Sequence, residues 1–202
     1  MSALEILDYV AVFAFSISGI SAAAGKKLDL FGGIIIAYVA SIGGGTIRDV
    51  LLDTDIIWMQ DVTYVYIIGA GAAFGMIFQT KIRHLRKSLF LFDSIGIGLY
   101  TIIGIQKGFA YGVAPEIALI LGVISATFGG VVRDILCNEI PLIFRSEIYA
   151  TACVIGGIIY IGLTYSPISD LLNLIISGSV IFTIRILAVY KNLKMPVLND
   201  RL

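Results

Sequence analysis

Two short segments of the chain combine consecutive glycines with an arginine–aspartate pair. They are SIGGGTIRD at Ser41–Asp49 and ATFGGVVRD at Ala126–Asp134, and both lie in apolar stretches. Each interior glycine weakens a helix by about 1 kcal/mol relative to alanine, so the helix can bend or unwind there. Backbone carbonyls freed in this way must be packed in protein or face a water-filled cavity, where they could coordinate a cation. The segments therefore predict a site for an ion or small solute, although small residues also serve simply to let helices pack closely.

The arginine and aspartate of each segment are expected to be structural or gating residues. Arg48 and Asp49 are adjacent, as are Arg133 and Asp134, and neighbours on a helix point about 100° apart. We therefore expect each charge to pair with another helix, for example Arg48 with Asp134. Arginines beside a cation route would repel the permeant ion unless they were neutralised, which argues against direct coordination.

Further polar residues occur at matched positions. Asp8 and Asp93 are followed, at equal spacing, by Ser16 and Thr101. The two acids are interpreted either as helix N-terminal caps or, together with Ser18, as the lining of a polar path. The complete set of candidate pathway residues is Ser16, Ser18, Ser41, Gly43, Gly44, Gly45, Thr46, Thr101, Thr127, Phe128, Gly129 and Gly130, and the charged gating or structural candidates are Asp8, Arg48, Asp49, Asp93, Arg133 and Asp134.

Catalysis and metal binding are not predicted. The single histidine, His84, lies in a basic connection, and no phosphate-binding glycine loop, histidine pair or serine–histidine–aspartate set is present. The sequence thus indicates a protein that is not an enzyme and that holds no metal or resident cofactor.

The composition places these segments in a membrane. Hydrophobic residues make up 58% of the 202 residues and charged residues 14%, whereas soluble domains are about 45–50% apolar. The net charge is zero and no basic groove is apparent, so nucleic-acid binding is not expected. Stretches of about 17–25 apolar residues can cross a bilayer, and the predicted all-α fold has seven of them. They run approximately over 4–24, 30–52, 62–80, 88–107, 115–137, 147–164 and 169–190.

The basic residues predict the orientation. With seven spans, the first, third and fifth connections share one side with the C-terminus, and that side carries most of the lysines and arginines, including Lys26, Lys27 and the basic run from Lys81 to Lys87. By the positive-inside rule the N-terminus is outside and the C-terminus is cytoplasmic.

The chain also contains an internal repeat. A shift of 85 residues superimposes Asp8 on Asp93, Gly44-Gly45 on Gly129-Gly130, and Arg48-Asp49 on Arg133-Asp134. Since each repeat has three spans, the second must enter the bilayer from the opposite side, as in many transporters. The predicted units are residues 1–87, residues 88–168, and a seventh helix with the tail at 169–202.

The doubled Gly-Gly-x-x-Arg-Asp, at Gly44–Asp49 and Gly129–Asp134 in a 3+3+1 chain, resembles the prokaryotic branch of the trimeric intracellular cation (TRIC) channels, also labelled bacterial glycine transporter domains. The resemblance implies a homotrimer in the prokaryotic cytoplasmic membrane, in which each subunit has its own pore for potassium and sodium. It also implies that the first, second, fourth and fifth spans line the pore, with the second and fifth kinked at the glycines. Phe128 departs from the repeat, because the first copy has Gly43 there, and could act as an aromatic plug. A secondary transporter of a small zwitterion such as glycine, and an accessory membrane subunit, are the competing interpretations.

Overall fold

The computed structural model describes residues 3–78 and 88–196, which form eight α-helices. These are α1 (Ala3–Ala23), α2 (Leu30–Leu51), α3 (Ile57–Gln60), α4 (Thr63–Ile77), α5 (Ser88–Ala110), α6 (Pro115–Leu136), α7 (Ala150–Thr164) and α8 (Asp170–Lys191), with a 3-10 turn at Leu142–Phe144. The basic run from Lys81 to Lys87, including His84, and the last residues of the predicted cytoplasmic tail lie outside the described residues.

Helix length and composition identify an all-helical membrane protein. Helices α1, α2, α5, α6 and α8 each contain a predominantly apolar segment of 20 or 22 residues, long enough to cross a bilayer. Helices α4 and α7 are also apolar but have 15 residues each, or about 22 Å of helix. Large apolar side chains cover the outer surface, for example Phe31 and Ile77, which are 70% and 73% exposed. In a bilayer these faces contact lipid chains.

Two connections are more ordered than the sequence predicted. The short helix α3 and the 3-10 turn at Leu142–Phe144 were both expected to be loop, and the sixth predicted span begins at Ala150 and not at Glu147. Both connections follow a helix that ends in an arginine–aspartate pair, and the contacts described below explain their order.

Four helices form the centre of the molecule. Helix α1 packs on α2 and α5, and α6 packs on α2 and α5. Helix α4 covers α1, while α8 covers α5 and α7. The central four are the spans that were expected to surround a pore.

Glycines set the distance between α2 and α6. A Cβ atom built on Gly44 would lie 2.0 Å from the carbonyl oxygen of Ser125, and one on Gly129 would lie 2.4 Å from that of Ala40. Only a glycine permits such an approach of two backbones. Both glycine segments are continuous α-helix, so the unwinding considered from the sequence does not occur, and a kink at these positions stays a prediction.

Helices α2 and α6 end in the same way. The amide of Leu52 donates to the carbonyl of Arg48, and the amide of Cys137 donates to that of Arg133, both at 3.0 Å. Asp53 and Asn138 then adopt the left-handed conformation, with φ of 50° and 55°. This conformation is common just past helix ends, and Asn and Asp tolerate it better than most residues. The C-terminal ends of α2 and α6 therefore have the same backbone conformation at positions that the 85-residue repeat superimposes.

A surface ion-pair group joins the connections after α1 and α6. Glu139 accepts hydrogen bonds from Lys26 and, at 3.0 Å, from Nη2 of Arg145. The hydrogen bond and charge of Lys26 hold the pKa of Glu139 below its ordinary value.

We expect the substitution Glu139→Gln to lower the melting temperature at neutral pH, because the paired carboxylate stabilises the fold there. A carboxyl whose pKa is depressed by folding contributes stability above its unfolded pKa of about 4.3 and loses it as the pH falls through the lower, folded value. The difference between variant and wild type should therefore shrink in melting curves recorded below about pH 4. A difference of equal size at both pH values would contradict this account.

Candidate functional site

The candidate site consists of two buried groups of charged side chains at the ends of α2 and α6. The Arg48 cluster contains Asp8, Arg48, Asp49, Tyr64 and Lys107. The Arg133 cluster contains Ser18, Asp93, Arg133, Asp134 and Tyr149. The repeat relates the arginine, the two aspartates and the tyrosine of one cluster to those of the other.

Each arginine pairs with the aspartate next to it. Arg48 Nε donates to Oδ1 of Asp49 at 2.7 Å, and Arg133 Nε donates to Oδ1 of Asp134 at 2.8 Å. The expected pairing with another helix occurs for Arg133, with Asp93, and for Asp49, with Lys107. The expectation that adjacent residues would not also pair was wrong, and so was the crossed pair between Arg48 and Asp134. The reason is the length of the arginine side chain, since its flexible stem carries the guanidinium group back to a neighbouring carboxylate.

The second oxygen of each aspartate orders the chain that follows. Oδ2 of Asp49 accepts the amide of Ile57 at 3.4 Å, and Oδ2 of Asp134 accepts the amide of Leu142 at 3.1 Å. Ile57 begins α3 and Leu142 begins the 3-10 turn. These bonds explain why both connections fold into short helical turns.

The far ends of the two guanidinium groups reach other helices. Arg48 Nη1 donates to the Ser125 hydroxyl on α6 at 3.3 Å. Arg133 Nη1 donates to Ser18 on α1 at 2.8 Å and to Oδ1 of Asp93 on α5 at 2.7 Å. Arg133 is thus held between two carboxylates, which neutralises its charge in the low dielectric of the protein.

The Arg48 cluster has fewer direct contacts between its arginine and its aspartates than the Arg133 cluster has. Asp8 accepts a hydrogen bond from the Tyr64 hydroxyl, and its carboxylate forms no direct ion pair with Arg48 in the structure. A second cation completes the cluster, since Lys107 Nζ lies 2.8 Å from Oδ1 of Asp49. A small cavity of about 20 Å³ adjoins Asp8, Arg48 and Asp49. About 10–15 Å³ is enough for one water molecule, so this cluster can be hydrated.

The Arg133 cluster is deeply buried and incompletely bonded. The side chains of Asp93 and Arg133 have no exposed surface. Within the described residues, Oδ2 of Asp93, Nη2 of Arg133 and the Tyr149 hydroxyl have no hydrogen-bond partner. Tyr149 occupies the position of Tyr64 in the repeat but makes no equivalent bond to its aspartate. The two clusters therefore share their residues but differ in their bonding.

Most of the hydroxyl candidates are buried and donate to backbone carbonyls. Ser16 donates to Ile68, Ser41 to Ala37, Thr101 to Ile97 and Thr127 to Val123, at distances of 2.7 to 2.8 Å. The Thr46 hydroxyl donates to Ile42 and accepts the indole N–H of Trp58 at 3.0 Å. No more than 1% of Ser16, Ser18, Ser41, Thr101 or Thr127 is exposed. A path along these groups is therefore closed in this conformation.

The glycine candidates lie where the central helices meet. A Cβ on Gly43 would approach the Cα of Gly129 at 3.3 Å. Gly45 faces Tyr100, and Gly130 faces the Tyr149 hydroxyl and Arg133. Phe128 is partly exposed, and its role as a plug stays a prediction.

Asp8 and Asp93 are not helix caps. Both lie beyond the first turn of their helices, α1 and α5, and each belongs to one of the clusters. Of the two interpretations made from the sequence, the N-terminal cap is wrong, and lining of a polar path stays a prediction.

Sequence reasoning missed Lys107 and Ser125 as members of the site. Lys107 is the last residue of the predicted fourth span, and Ser125 has alanine, Ala40, at its repeat position. A signal for Lys107 existed, because a lysine within an apolar stretch is costly and requires a partner.

Comparisons with known proteins agree with this organisation. The family model described as "Glycine transporter" matches the chain twice, over residues 5–80 and 90–165, and the two starting points are separated by the 85 residues of the repeat. The chain is 36% identical over 200 residues to a UPF0126 membrane protein of Vibrio cholerae, covering 96% of this chain and 82% of the relative. It is also 36% identical over 193 residues to the UPF0126 inner membrane protein YadS of Escherichia coli K12, covering 94% of this chain and 93% of the relative.

Solved structures of similar fold cover the whole chain. The TRIC trimeric intracellular cation channel orthologue from Rhodobacter sphaeroides superimposes with a TM-score of 0.89 at 30% identity, over 96% of this chain and 100% of that one. A structure described in work on conductance through TRIC cation channels gives 0.87 at 30% identity, with 100% of both chains covered.

Proposed function

Because this chain belongs to the glycine transporter (UPF0126) family and shares its fold with TRIC cation channels, we propose that it is a channel for monovalent cations, potassium and sodium. The observation that carries the proposal is the structural likeness to cation channels over essentially the full length at 30% identity. In the proposed assembly three copies form a homotrimer in the inner membrane, and each copy has its own pore.

The proposed topology has seven spans, formed by α1, α2, α4, α5, α6, α7 and α8. Two inverted repeats, at residues 1–87 and 88–168, precede the seventh helix and tail at 169–202. The matched contacts of Asp49 and Asp134 with the chain that follows them support the repeat. With the N-terminus outside and the C-terminus in the cytoplasm, the Arg48 cluster lies toward the outside and the Arg133 cluster toward the cytoplasm.

The proposed ion route runs between α1, α2, α5 and α6, from one cluster to the other. In this route the Arg48 cluster, which adjoins a small cavity, forms the outer vestibule, and the buried Arg133 cluster forms the closed constriction. We assign the hydroxyl groups of Ser16, Ser41 and Thr101 to the part of the route between the clusters, where they could replace part of an ion's hydration shell if they rotated from their carbonyl partners. Pairing of each arginine with a carboxylate lowers its repulsion of a cation.

Planar bilayer recording of the purified protein tests the proposal. With a potassium gradient and a large impermeant anion, we expect unitary currents that reverse near the potassium equilibrium potential. Currents that reverse near the chloride potential when chloride is present, or a bilayer that stays silent while the reconstituted protein is folded, would contradict a cation pore.

We expect the substitution Lys107→Met to increase the unitary cation current. Lys107 places a positive charge beside Asp49 at the vestibule, and Arg48 remains to pair with the carboxylate after its removal. In water a unit charge at about 4 Å contributes about 1 kcal/mol, so the local cation concentration and the current at low salt should rise by about two- to fivefold. The gain should fall as salt is raised, because ions screen the field. Lys191→Met, at the other end of the molecule, is the control and should leave the current unchanged.

A glycine transporter is the second candidate, and the family model's own description favours it. Proteoliposomes loaded with buffer should then take up labelled glycine in a saturable manner, without unitary currents in the bilayer. Uptake of this kind would replace the channel proposal, whereas currents without uptake would exclude the transporter.

A further inference from the structure

A second polar site lies at the end of α8, next to the Arg133 cluster, since Arg185 contacts the ring of Tyr149. A cavity of about 220 Å³ opens between the start of α5, the residues before α7 and the segment that follows α8. Its polar lining includes Glu147, Arg185, Asn192 and Lys194, and Phe90 and Ile148 are among its apolar neighbours. Lys194 and Glu147 also form an isolated antiparallel bridge, which holds this segment in place.

Arg185 is the central residue of this cavity. Its side chain is 0% exposed although it lines the cavity wall. Only Nη1 is bonded, to the Ile148 carbonyl at 2.7 Å, while Nε and Nη2 have no partner among the described residues. Burying unpaired donors of a charged group is costly, so their retention requires an explanation.

The geometry of the free donors indicates the class of ligand. Nε and Nη2 lie on one edge of the planar guanidinium group, the edge that binds two oxygens of a phosphate or carboxylate in parallel. The rings of Tyr149 and Phe90, at 4.8 and 6.0 Å from Cζ, fix the plane of the group. Both nitrogens are buried, so an oxyanion in the cavity reaches this edge when neighbouring side chains shift, and the edge then offers it two parallel donors.

The protein's own carboxylate does not occupy this edge. Oε2 of Glu147 is 3.9 Å from Nη1, too far for a hydrogen bond, and is itself unpartnered. Lys194 lies at the rim and adds a second positive charge, so the cavity has two cations against one carboxylate. This balance favours an added anion.

We propose that this cavity binds a phosphate group through the Nε and Nη2 donors of Arg185, with Lys194 as a second contact. The group comes either from the head of an anionic phospholipid or from phosphate in solution. The position at the end of a membrane-spanning helix, where head groups lie, is compatible with a lipid, and the two sources are separated by experiment. Phosphate binding is measured here without ionic current, so its test does not depend on the channel proposal.

The first measurement is the melting temperature of the protein in zwitterionic lipid nanodiscs, with inorganic phosphate replacing chloride at constant ionic strength. A ligand that binds the folded state raises the melting temperature in a saturable way. We expect such a rise in melting temperature for wild type. The rise should be much smaller for Arg185→Lys, because lysine cannot bind an oxyanion in bidentate fashion, and it should also be smaller than in wild type for Lys194→Gln. Lys191→Gln is the matched control, since Lys191 is at the same helix end but outside the cavity.

The substitution Glu147→Gln distinguishes a ligand site at Arg185 from a structural ion pair between Arg185 and Glu147. Loss of the competing carboxylate should tighten phosphate binding by about fivefold, from a charge interaction of about 1 kcal/mol at 4 Å in water. If Glu147 instead serves as the partner of Arg185, the variant will only lower the melting temperature and leave the phosphate response unchanged. That result would overturn the proposal. If the Arg185 variants fail to fold, the phosphate response of Lys194→Gln tests the same site.

The source of the phosphate is identified by native mass spectrometry after reconstitution in vesicles of phosphatidylglycerol mixed with phosphatidylcholine. Selective retention of phosphatidylglycerol by wild type, lost in Lys194→Gln, supports a lipid head group. A saturable phosphate response without lipid retention supports the soluble ion. Absence of both effects in wild type and in Glu147→Gln would refute the site.

Discussion

Alanine at Gly44 or Gly129 is expected to separate α2 from α6 and to destabilise the protein by about 3 kcal/mol or more, above most overpacking substitutions. The added Cβ would lie 2.0 or 2.4 Å from a backbone carbonyl oxygen of the other helix. Backbone atoms cannot move aside as a side-chain tip can, so the helices themselves must shift. Reversible unfolding in mixed detergent micelles, followed by circular dichroism, measures the loss.

Gly69 and Gly162 provide matched controls for this prediction. Both lie within apolar helices, α4 and α7, and a Cβ at either position would meet nothing within 4 Å. Alanine there should be neutral or stabilising by up to about 1 kcal/mol, because it is the better helix former. If Gly44→Ala behaved like Gly69→Ala, the close contact described here would be wrong.

Removal of the Arg133 guanidinium group is expected to have the second large effect. Arg133→Met leaves Asp93, which is fully buried, without its ion-pair partner. Breaking a buried pair in this way typically costs about 3–5 kcal/mol. The same unfolding assay should therefore show a loss of this size, or misfolding that is evident from loss of the assembled protein in detergent.

A double variant distinguishes the ion pair from simple loss of packing. Asp93→Asn combined with Arg133→Met removes both charges of the pair, and we expect it to be more stable than Arg133→Met alone. Arg145→Met is the control, because Arg145 pairs with Glu139 at the surface and its side chain is 38% exposed. Surface pairs contribute about 0–1 kcal/mol, so an Arg133→Met cost no greater than that of Arg145→Met would contradict the assigned pairing.

The sequence alone predicted the features that depend on spacing. Apolar length located the five long helices, and the 85-residue shift placed Arg48 and Arg133 at equivalent points in the fold. Both signals are local or periodic, so they can be read along the chain without knowledge of tertiary contacts.

The features that depend on where a long side chain ends were not predicted. The spacing of Arg48 and Asp49 fixes the directions of their Cβ atoms but not the position of a guanidinium group several bonds away. Helix unwinding at Gly43–Gly45 was one physical outcome of a glycine run, and close packing was the other. Which one occurs depends on the carbonyl that α6 presents opposite Gly44, and this contact is not visible in the sequence.

Arg185 was also not predicted as a site residue, for a different reason. An arginine within the last apolar span is costly, and this signal was present in the sequence. Arg185 lies outside the repeat and has no glycine motif beside it, so the spacing of motifs assigns it no role. Its two unpaired donors became apparent only when the neighbouring side chains were placed.

The contact between Gly44 and Gly129 also restricts how the molecule can move. Two backbones that already touch cannot come closer, and separating them would expose polar carbonyls to lipid. The two helices can therefore tilt about their crossing, and the displacement of a residue grows with its distance from that point. Arg48 and Arg133 lie one helical turn from the crossing, so a tilt about it would move them less than the opposite helix ends at Leu30 and Pro115.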